Sequence, residues 1–316
     1  MKHEDGGQSA ACTQAETKPL LRRTCAADVS LPWAGPAWLT GAPADVREAW
    51  RRAGTGDYGR RTWRMPNLFI LGAAKCGTSS LHALLGQHPD ILASKLKEPT
   101  FFCWPYQLVK DPVAYLKLFR TPTRYRMEAS HAYLSNPDTA AVLKTFFPDA
   151  RFVVTLRNPK ARAFSLYRHM RRIAASRPEP RENMARFSDA LAAEEARFHS
   201  REFFVNCPQY FWNFMYCRSS MFDDQLTRYF ALFKREQFHV LTLAELAADP
   251  ARETGRMLAF LGLDAAPTER FRFPKSNRGG PHEPYGAEAE AIMDSAFDGL
   301  TDRVDRLVGR PLDWRL

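Results

Sequence analysis

A short apolar run followed by a glycine-bearing loop and a helix constrains the fold of this chain more than any other feature. Residues 67–71, Asn-Leu-Phe-Ile-Leu, are typical of a buried strand. The loop Gly72–Ser80 follows and leads into a helix whose apolar face begins at Leu81 and whose C-cap is Gly86. A buried strand that passes through such a loop into a helix is typical of an α/β protein.

The alternation of strands and helices continues along the chain. Residues 151–156 and 238–243 are two further apolar runs that predict buried strands. After the first of them, Asn158 and Pro159 form a good N-cap and first helical residue. The pattern predicts an α/β protein with a three-layer, P-loop-like fold, in which helices flank a central, mainly parallel sheet.

Further helices follow from capping signals. Ser220, with Asp223 three residues later, predicts a capping box at the start of a helix. Asp249 and Pro250 open another helix, which ends at Gly262. The C-terminal segment is predicted to be helical. Its packing face consists of Leu300, Val304, Leu307 and Val308.

The loop at 72–80 has the backbone pattern of a phosphate-binding loop. The N–H groups and the dipole of a helix N-terminus attract an anion. A Walker A loop requires Gly-Lys-Ser/Thr, but Thr78 stands at the position of that lysine and Lys75 lies earlier in the loop. This arrangement favours a shorter anion, such as one phosphate that carries a transferable group. The alternative is an ordinary strand–turn–helix with an exposed lysine.

A second anion site is predicted where the strand 151–156 ends. Arg157 follows this strand, and Ser165 lies on the next helix, on a face with Arg162 and His169. The arginine fork and a hydroxyl donor together suit a phosphate group. Paired with the loop at 72–80, they predict a ligand with phosphate groups at two ends.

The composition favours anionic partners without choosing among them. Lys and Arg number 45 against 35 Asp and Glu, for a net charge of +10, while 45% hydrophobic and 25% charged residues are ordinary for a globular protein. Nucleic acid, phosphate-bearing cofactors, acidic polysaccharide and anionic lipid all fit this charge, as does a basic enzyme without a polyanionic partner. The Arg-rich segment 168–186 either lines a cleft for an anionic polysaccharide or is a solvated loop. It lacks the interleaved aromatics that single-stranded nucleic acid requires, so no nucleic-acid partner is predicted.

The chain divides into three predicted regions. Residues 1–30 are predicted to be disordered, 31–65 to form an arm with a short helix, and 66–316 to form the folded domain. No signal peptide or membrane span is predicted, which fits either the cytoplasm or, for a piece of a longer anchored protein, the Golgi lumen. The cysteines have no zinc spacing, so no metal site is expected, and Cys207 and Cys217 are expected to be free thiols rather than a disulfide.

Five stretches resemble sulfotransferases that use 3′-phosphoadenosine 5′-phosphosulfate (PAPS) and release the desulfonated product PAP. GAAKCGTSSL (72–81) and LRNPKARAFSLYRHM (156–170) resemble their 5′-phosphosulfate loop and 3′-phosphate motif. HPDILASKLKEPTFF (88–102), FPKSNRGGPH (273–282) and LVGRPLDW (307–314) resemble the glycan branch, especially heparan sulfate 3-O- and N-sulfotransferases. The resemblance spans residues 66–315.

This resemblance assigns roles to individual residues. It implies that Lys75 stabilises the leaving phosphate, that the backbone of 76–79 with the Thr78 and Ser79 hydroxyls holds the 5′-phosphate, and that a loop at 275–280 closes over the cofactor. Arg157 and Ser165 would hold the 3′-phosphate. The residues so assigned to PAPS are Lys75, Cys76, Gly77, Thr78, Ser79, Arg157, Ser165, Lys275, Arg278 and Gly279.

The resemblance also implies a catalytic base and an acceptor class. Glu98 aligns with the glutamate that deprotonates the acceptor hydroxyl, and His131 is a second candidate base because an imidazole also suits that step. Two departures weaken heparan sulfate as the acceptor. Ala129 replaces a lysine frequent in glycan enzymes, and the cysteine hairpin of the 3-O-sulfotransferases is missing from 271–274.

The predicted function is transfer of a sulfuryl group from PAPS to a hydroxyl of a carbohydrate or carbohydrate-like acceptor, with an anionic glycan as one candidate. The alternatives are a sulfotransferase for a small metabolite (a sterol, phenol or alkaloid), a P-loop kinase, and a non-catalytic anion-binding protein. No metal is expected to take part, because the loop itself supplies positive charge where charge develops on the leaving phosphate. The sequence leaves the oligomeric state open.

Overall fold

A five-stranded parallel sheet is the centre of the computed structural model, which describes residues 65–103, 106–176, 182–207, 209–265, 271–272 and 284–315. The strands are β1 Leu68–Gly72, β2 Ile91–Ala93, β3 Tyr125–Ala129, β4 Arg151–Leu156 and β5 Phe238–Thr242. Their order is β2-β3-β1-β4-β5, and every neighbouring pair is parallel. The predicted α/β fold is confirmed.

Helices connect the strands. In chain order they are α1 Thr78–Leu85, α2 Pro112–Leu116, α3 Ala132–Ser135, α4 Thr139–Phe146, α5 Pro159–Ser176, α6 Phe187–Ala192, α7 Glu194–His199, α8 Arg201–Asn206, α9 Phe222–Phe230, α10 Leu243–Ala248, α11 Pro250–Leu261, α12 Ala287–Ala296 and α13 Leu300–Val308. Short 3₁₀ turns occur at Lys117–Phe119, Phe211–Phe214, Arg218–Ser220 and Arg235–Gln237.

The side chains of β1 divide between two apolar clusters, one on each face of the sheet. Leu68 and Ile70 belong to a cluster that includes the apolar faces of α1 and α11. Phe69 and Leu71 belong to a larger cluster that includes α4, α5 and α9. Because both faces are covered, β1 is buried throughout, which explains why its sequence is continuously apolar rather than alternating. The result is the predicted three-layer arrangement.

Local signals located three of the five strands and several of the helix ends. β1, β4 and β5 lie where the apolar runs predicted them. Asn158 caps α5 by accepting from the N–H groups of Lys160 and Ala161 at 3.1 and 3.2 Å. Asp249 caps α11, which ends at Gly262 in a left-handed conformation as predicted.

The strands β2 and β3 were not predicted from the sequence. β3 carries two buried charged residues, Arg126 and Glu128, which interrupt any apolar pattern. Arg126 is accommodated because its guanidinium donates to the carbonyl oxygens of Met65 and Thr123, both at 2.6 Å. Backbone carbonyls outside β3 therefore satisfy the buried guanidinium of Arg126. The sequence of the strand does not by itself indicate this burial.

The capping box predicted at Ser220 was wrong. The helix α9 begins at Phe222 without a side-chain cap, after a 3₁₀ turn. The hydroxyl of Ser220 donates to the carbonyl of Tyr216 at 2.7 Å and accepts from Arg162 at 2.9 Å, so it does not cap. The carboxylate of Asp223 accepts from Arg303 at 2.6 Å instead. Tertiary partners thus outcompete a local capping signal.

The carboxyl ends of three neighbouring strands place the functional loops side by side. Gly72 ends β1, Ala129 ends the strand on one side of it, and Leu156 ends the strand on the other. In open parallel sheets, ligands bind beyond these ends, where the loops meet. The loops that follow carry Lys75, His131 and Arg157 respectively.

Several sequence predictions concern residues outside the described part of the chain. The predicted disordered segment 1–30, nearly all of the arm 31–65, and Lys275, Arg278 and Gly279 lie there. Among the described residues, the cysteines at 76, 103, 207 and 217 are free thiols, as expected for the pair at 207 and 217. No helix among these residues is long and apolar enough to cross a membrane.

Candidate active site

The loop after β1 is held from the neighbouring strand β4. The N–H of Ala73 donates to the carbonyl of Thr155 at 2.7 Å, and the Thr155 hydroxyl donates to the carbonyl of Cys76 at 2.8 Å. Gly77 ends the loop at φ 89°, and a Cβ there would lie 2.8 Å from Cδ1 of Leu243. Glycine is therefore required at 77 both by the backbone conformation and by the close packing of α10.

The loop presents backbone donors at the start of α1. Thr78 and Ser79 are the first residues of this helix, whose N-terminal N–H groups have no partner within the helix. Thr78 is buried and Ser79 is exposed. Burial raises the pKa of Cys76 to about 11, so its thiol stays neutral and only its backbone can serve an anion. These features make the loop a ready site for a phosphate group.

Positive charges surround the half-buried Lys75. Burial lowers the pKa of Lys75, and the nearby cations Arg172, Arg157 and Arg162 lower it further. Burial together with Lys75 and Arg172 also lowers the pKa of His169, to about 4. Cationic groups that lower one another's pKa in this way create a region of positive potential. The negative charge of a bound anion would reduce this potential.

A carboxylate and an imidazole meet beside this loop. One carboxylate oxygen of Glu98 lies 2.7 Å from Nδ1 of His131 and also accepts from the backbone N–H of His131 at 2.7 Å. The backbone N–H of Glu98 donates to the carbonyl of Ala129, at the end of β3, at 2.9 Å. A Cβ on Gly72 would lie 2.9 Å from the carbonyl oxygen of His131, so the pair abuts the anion loop directly.

The charge of Glu98 is strongly stabilised. Burial raises its pKa, but His131 and Lys97 more than offset this effect and hold the pKa at about 2. Lys97 is ion-paired with the same carboxylate. Glu98 is thus an acceptor-only carboxylate at physiological pH that fixes the position of the imidazole.

A buried network that sequence reasoning missed supports this pair. The carboxyl of Glu128 accepts hydrogen bonds from the hydroxyls of Ser130 at 2.7 Å and Tyr133 at 3.2 Å, and from the hydroxyl of Tyr115. Ser130 in turn accepts from the N–H of Thr100 at 3.0 Å. Both Glu98 and Thr100 have positive φ values, 64° and 48°, so the network holds the segment 98–100 in an unusual backbone conformation.

Tyrosine rings form a wall next to His131. The ring of Tyr210 lies 6.3 Å from that of His131, and Tyr106 lies 5.3 Å from Tyr210. The Tyr106 hydroxyl donates to the side chain of Gln209 at 3.4 Å, and the neighbouring Leu108 is exposed. Tyr210 is buried, so of these two rings only the half-buried Tyr106 is accessible to a group that approaches the Glu98–His131 pair.

The residues predicted to hold a second phosphate lie on β4 and α5. Arg157 is half-buried and comes immediately after β4. Its positive charge acts to lower the pKa of both Lys75 and Tyr285. Ser165 is half-buried on α5. The structure therefore brings Arg157 into the positive region around Lys75.

A comparison with known protein families identifies the family of this chain. The model of the sulfotransferase domain matches residues 65–275 of this chain. The chain belongs to the sulfotransferase family.

Related proteins agree with this assignment. The crystal structure of a sulfotransferase from Alicyclobacillus acidocaldarius superposes with a TM-score of 0.65 at 32% identity, covering 78% of this chain and 96% of that one. Human heparan sulfate glucosamine 3-O-sulfotransferase 6 is 26% identical over 226 residues, which are 71% of this chain and 59% of that protein.

The bifunctional heparan sulfate N-deacetylase/N-sulfotransferase 1 of Caenorhabditis briggsae is 24% identical over 222 residues, 67% of this chain and 24% of that protein. The chain thus spans less than two thirds of the length of each of these two heparan sulfate relatives.

The Arg-rich segment of this sulfotransferase domain divides into residues with different partners. Arg172 is exposed and its charge acts on Lys75 and His169. Arg186 is ion-paired with Glu288 at 2.5 Å, remote in sequence. Within the described residues, no group of three or more His, Cys, Asp or Glu is arranged to hold a metal ion. Among the described arginines of the segment, Arg172 and Arg186 therefore lie in different electrostatic surroundings.

Proposed function

We propose that this sulfotransferase domain moves a sulfuryl group from PAPS to a hydroxyl of a carbohydrate or carbohydrate-like acceptor. The observation that carries the proposal is the juxtaposition of a positive anion loop around Lys75 with the Glu98–His131 pair at the adjoining strand end. The loop around Lys75 suits an anionic sulfuryl donor. The Glu98–His131 pair suits removal of a proton from the acceptor hydroxyl.

The described residues fit the phosphate groups of PAPS. The N-terminus of α1, with the hydroxyls of Thr78 and Ser79, offers donors for the 5′-phosphate, while Arg157 and Ser165 would hold the 3′-phosphate. Lys275, Arg278 and Gly279 remain proposed closing residues on the basis of the family resemblance. PAPS supplies the activated sulfuryl group, and the protein supplies position and counter-charge.

Lys75 is proposed to stabilise the charge that develops on the leaving phosphate. Burial and neighbouring cations lower its pKa, and the negative charge of a bound anion would favour its ammonium form. A cation fixed beforehand where negative charge grows lowers the barrier more than a mobile one. Its position in a loop tied to β4 provides that fixation.

The proposed base is the Glu98–His131 pair. Glu98 is the base that the family resemblance implies, yet a carboxylate with a pKa of about 2 accepts a proton poorly. Its bond to Nδ1 leaves Nε2 of His131 as the ring nitrogen for the acceptor hydroxyl. The geometry thus favours His131 as the proton acceptor, with Glu98 orienting the imidazole and stabilising its protonated form.

A carbohydrate acceptor is supported by the names of the relatives and by the surroundings of the pair. Two relatives are heparan sulfate sulfotransferases by name. The half-buried ring of Tyr106, which packs on the buried Tyr210, offers an apolar surface for a sugar ring, and the exposed Arg172 offers charge for an anionic glycan. The ring of Tyr106 also fits a phenol or sterol, which keeps a small-metabolite acceptor as the second candidate.

A turnover screen tests the proposal. Purified protein is incubated with PAPS and a panel of glycans and small hydroxylated metabolites, and PAP release is measured with and without EDTA. We expect release with a glycan and no effect of EDTA. Transfer to small metabolites alone would show that the acceptor is a small metabolite and not a carbohydrate. Tight binding of PAP without any transfer would favour a non-catalytic anion-binding protein, and a requirement for ATP and magnesium would favour a kinase.

A further inference from the structure

Arg162 is a fully buried arginine whose described partners are all neutral. It lies on α5, and its side chain is 2% exposed. Its Nε donates to the carbonyl of Ala74 at 3.1 Å, and its Nη1 donates to the hydroxyls of Ser219 at 2.5 Å and Ser220 at 2.9 Å. Nη1 also lies 3.4 Å from the carbonyl of Tyr216. Buried charges are ordinarily paired with an opposite charge.

No carboxylate of the described residues forms an ion pair with Arg162. Among the acidic residues, Glu194 interacts electrostatically with Arg162 without a direct ion pair. Its carboxyl accepts hydrogen bonds from the backbone N–H groups of Cys217 and Arg218 at 2.8 and 2.7 Å. Burial raises the pKa of Glu194 to about 7 and that of Cys76 to about 11, so neither provides a full negative charge at neutral pH. The described acidic groups therefore balance the charge of Arg162 only in part.

The contacts of Arg162 connect it to the anion loop. Ala74 precedes Lys75, and its carbonyl is held by Arg162. Cys76 follows Lys75, and its carbonyl is held by Thr155. The carbonyls of the residues before and after Lys75 are thus held by side chains of α5 and β4, which helps to maintain Lys75 at its left-handed φ of 68°. The positive charge of Arg162 also lowers the pKa of Lys75.

We propose that Arg162 is the buried counter-charge of the anion loop: its cation is balanced by the 5′-phosphate of the bound nucleotide, and its bond to Ala74 holds the loop in the binding conformation. This inference rests on the proposed function of the loop. It assigns Arg162 a positioning role distinct from that of Arg157, which is proposed to read the 3′-phosphate. A ligand without a 3′-phosphate should therefore still depend on Arg162.

The test compares two variants, Arg162→Gln and Arg162→Lys, by calorimetric binding of PAP and of adenosine 5′-phosphate. Gln keeps a hydrogen-bond donor but removes the charge, whereas Lys keeps the charge. We expect Arg162→Gln to weaken both ligands by at least about tenfold and Arg162→Lys to retain most of the affinity. Arg157→Ala is the matched control, because it should weaken PAP alone.

Three outcomes overturn the inference. Arg162→Gln binds both ligands as tightly as the unmodified protein, the Lys and Gln variants weaken binding equally although both are folded, or Arg162→Gln weakens PAP alone. Absence of PAP binding by the unmodified protein would instead contradict the proposed function.

A second measurement needs no variant of the binding site to fold. In the unmodified protein, the NMR signal of the Arg162 Nε–H, assigned by its loss in Arg162→Lys or by selective labelling, should shift and exchange more slowly with water when PAP is added. An unchanged signal at saturating PAP overturns the inference even if Arg162→Gln does not fold.

Discussion

Glu98 and His131 are 33 residues apart in the sequence, yet one carboxylate oxygen of Glu98 lies 2.7 Å from both the backbone nitrogen and Nδ1 of His131. This double contact fixes the imidazole relative to the end of β3, and the packing of Gly72 against the His131 carbonyl fixes it relative to the anion loop. The proposed proton acceptor and the proposed sulfuryl donor site are therefore held by one rigid group of strand ends.

Replacing Lys75 with alanine should abolish sulfuryl transfer while the protein stays folded. Lys75 is half-buried in a loop whose flanking carbonyls are anchored by other residues, so its side chain is not needed for the fold. Steady-state PAPS turnover and thermal unfolding measure the two effects. Lys95→Ala, which removes an exposed lysine, is the control. Residual turnover above about a tenth, or a barrier change below about 1.4 kcal/mol, would remove Lys75 from the catalytic role.

Replacing Arg157 or Ser165 with alanine should weaken PAP more than adenosine 5′-phosphate. A hydrogen bond to a charged group contributes about 1.5–3 kcal/mol, and the arginine variant should show the greater loss because it also removes a full charge. Isothermal titration with the two nucleotides measures the difference. Equal losses for both ligands would show that these side chains do not contact the 3′-phosphate.

The variants Glu98→Gln and His131→Ala should separate the roles of the pair. If His131 takes the proton, His131→Ala loses at least about a hundredfold in kcat, on the lower scale for a lost acid–base group. Glu98→Gln should then lose less, since it keeps a hydrogen bond to the ring but not the charge. PAP affinity, measured in parallel, should change little in either variant. Normal turnover by His131→Ala, with an inactive Glu98→Gln, would return the base to Glu98.

The pH profile of kcat/KM distinguishes the same two candidates. A pKa of about 2 keeps Glu98 ionised throughout the usual assay range, so its protonation produces no acid limb above pH 4. An imidazole base produces an acid limb between about pH 5 and 8. We expect such a limb. A flat profile down to pH 4 would contradict an imidazole base.

Replacing Glu128 with glutamine should reduce the pH dependence of stability. Burial raises the pKa of Glu128 to about 7, above its ordinary value of 4.5, although hydroxyl donors lower it. The folded state therefore binds the proton more tightly than the unfolded chain, and the resulting stability is present below about pH 4.5 and lost as the pH rises through 7. Chemical denaturation between pH 5 and 8 should give a shallower decline for Glu128→Gln. Parallel declines would mean that Glu128 does not titrate in this range.

Local patterns in the sequence determined the frame of the anion loop. The continuous apolar runs of β1 and β4, the glycines of the loop and the cap at Asn158 are short-range signals, because each depends on backbone conformation or on burial of a single segment. Those strands and that cap are read correctly from residues close in sequence. The assignment of Lys75 and Arg157 to phosphate binding came from motif order and stays a prediction.

Only the tertiary structure decided how the remaining groups act. Ser220 looked like a helix cap but accepts a hydrogen bond from Arg162. The strand β3 was not recognised because two buried charged residues interrupt its apolar pattern. Glu98 acquires a pKa of about 2 only beside His131 and Lys97. These outcomes depend on which groups are buried together, since burial makes the energy of a charge depend on its nearest partners. Partners brought together by the parallel order of strands are absent from any local pattern, so the sequence supplied the candidates and the packing assigned their chemistry.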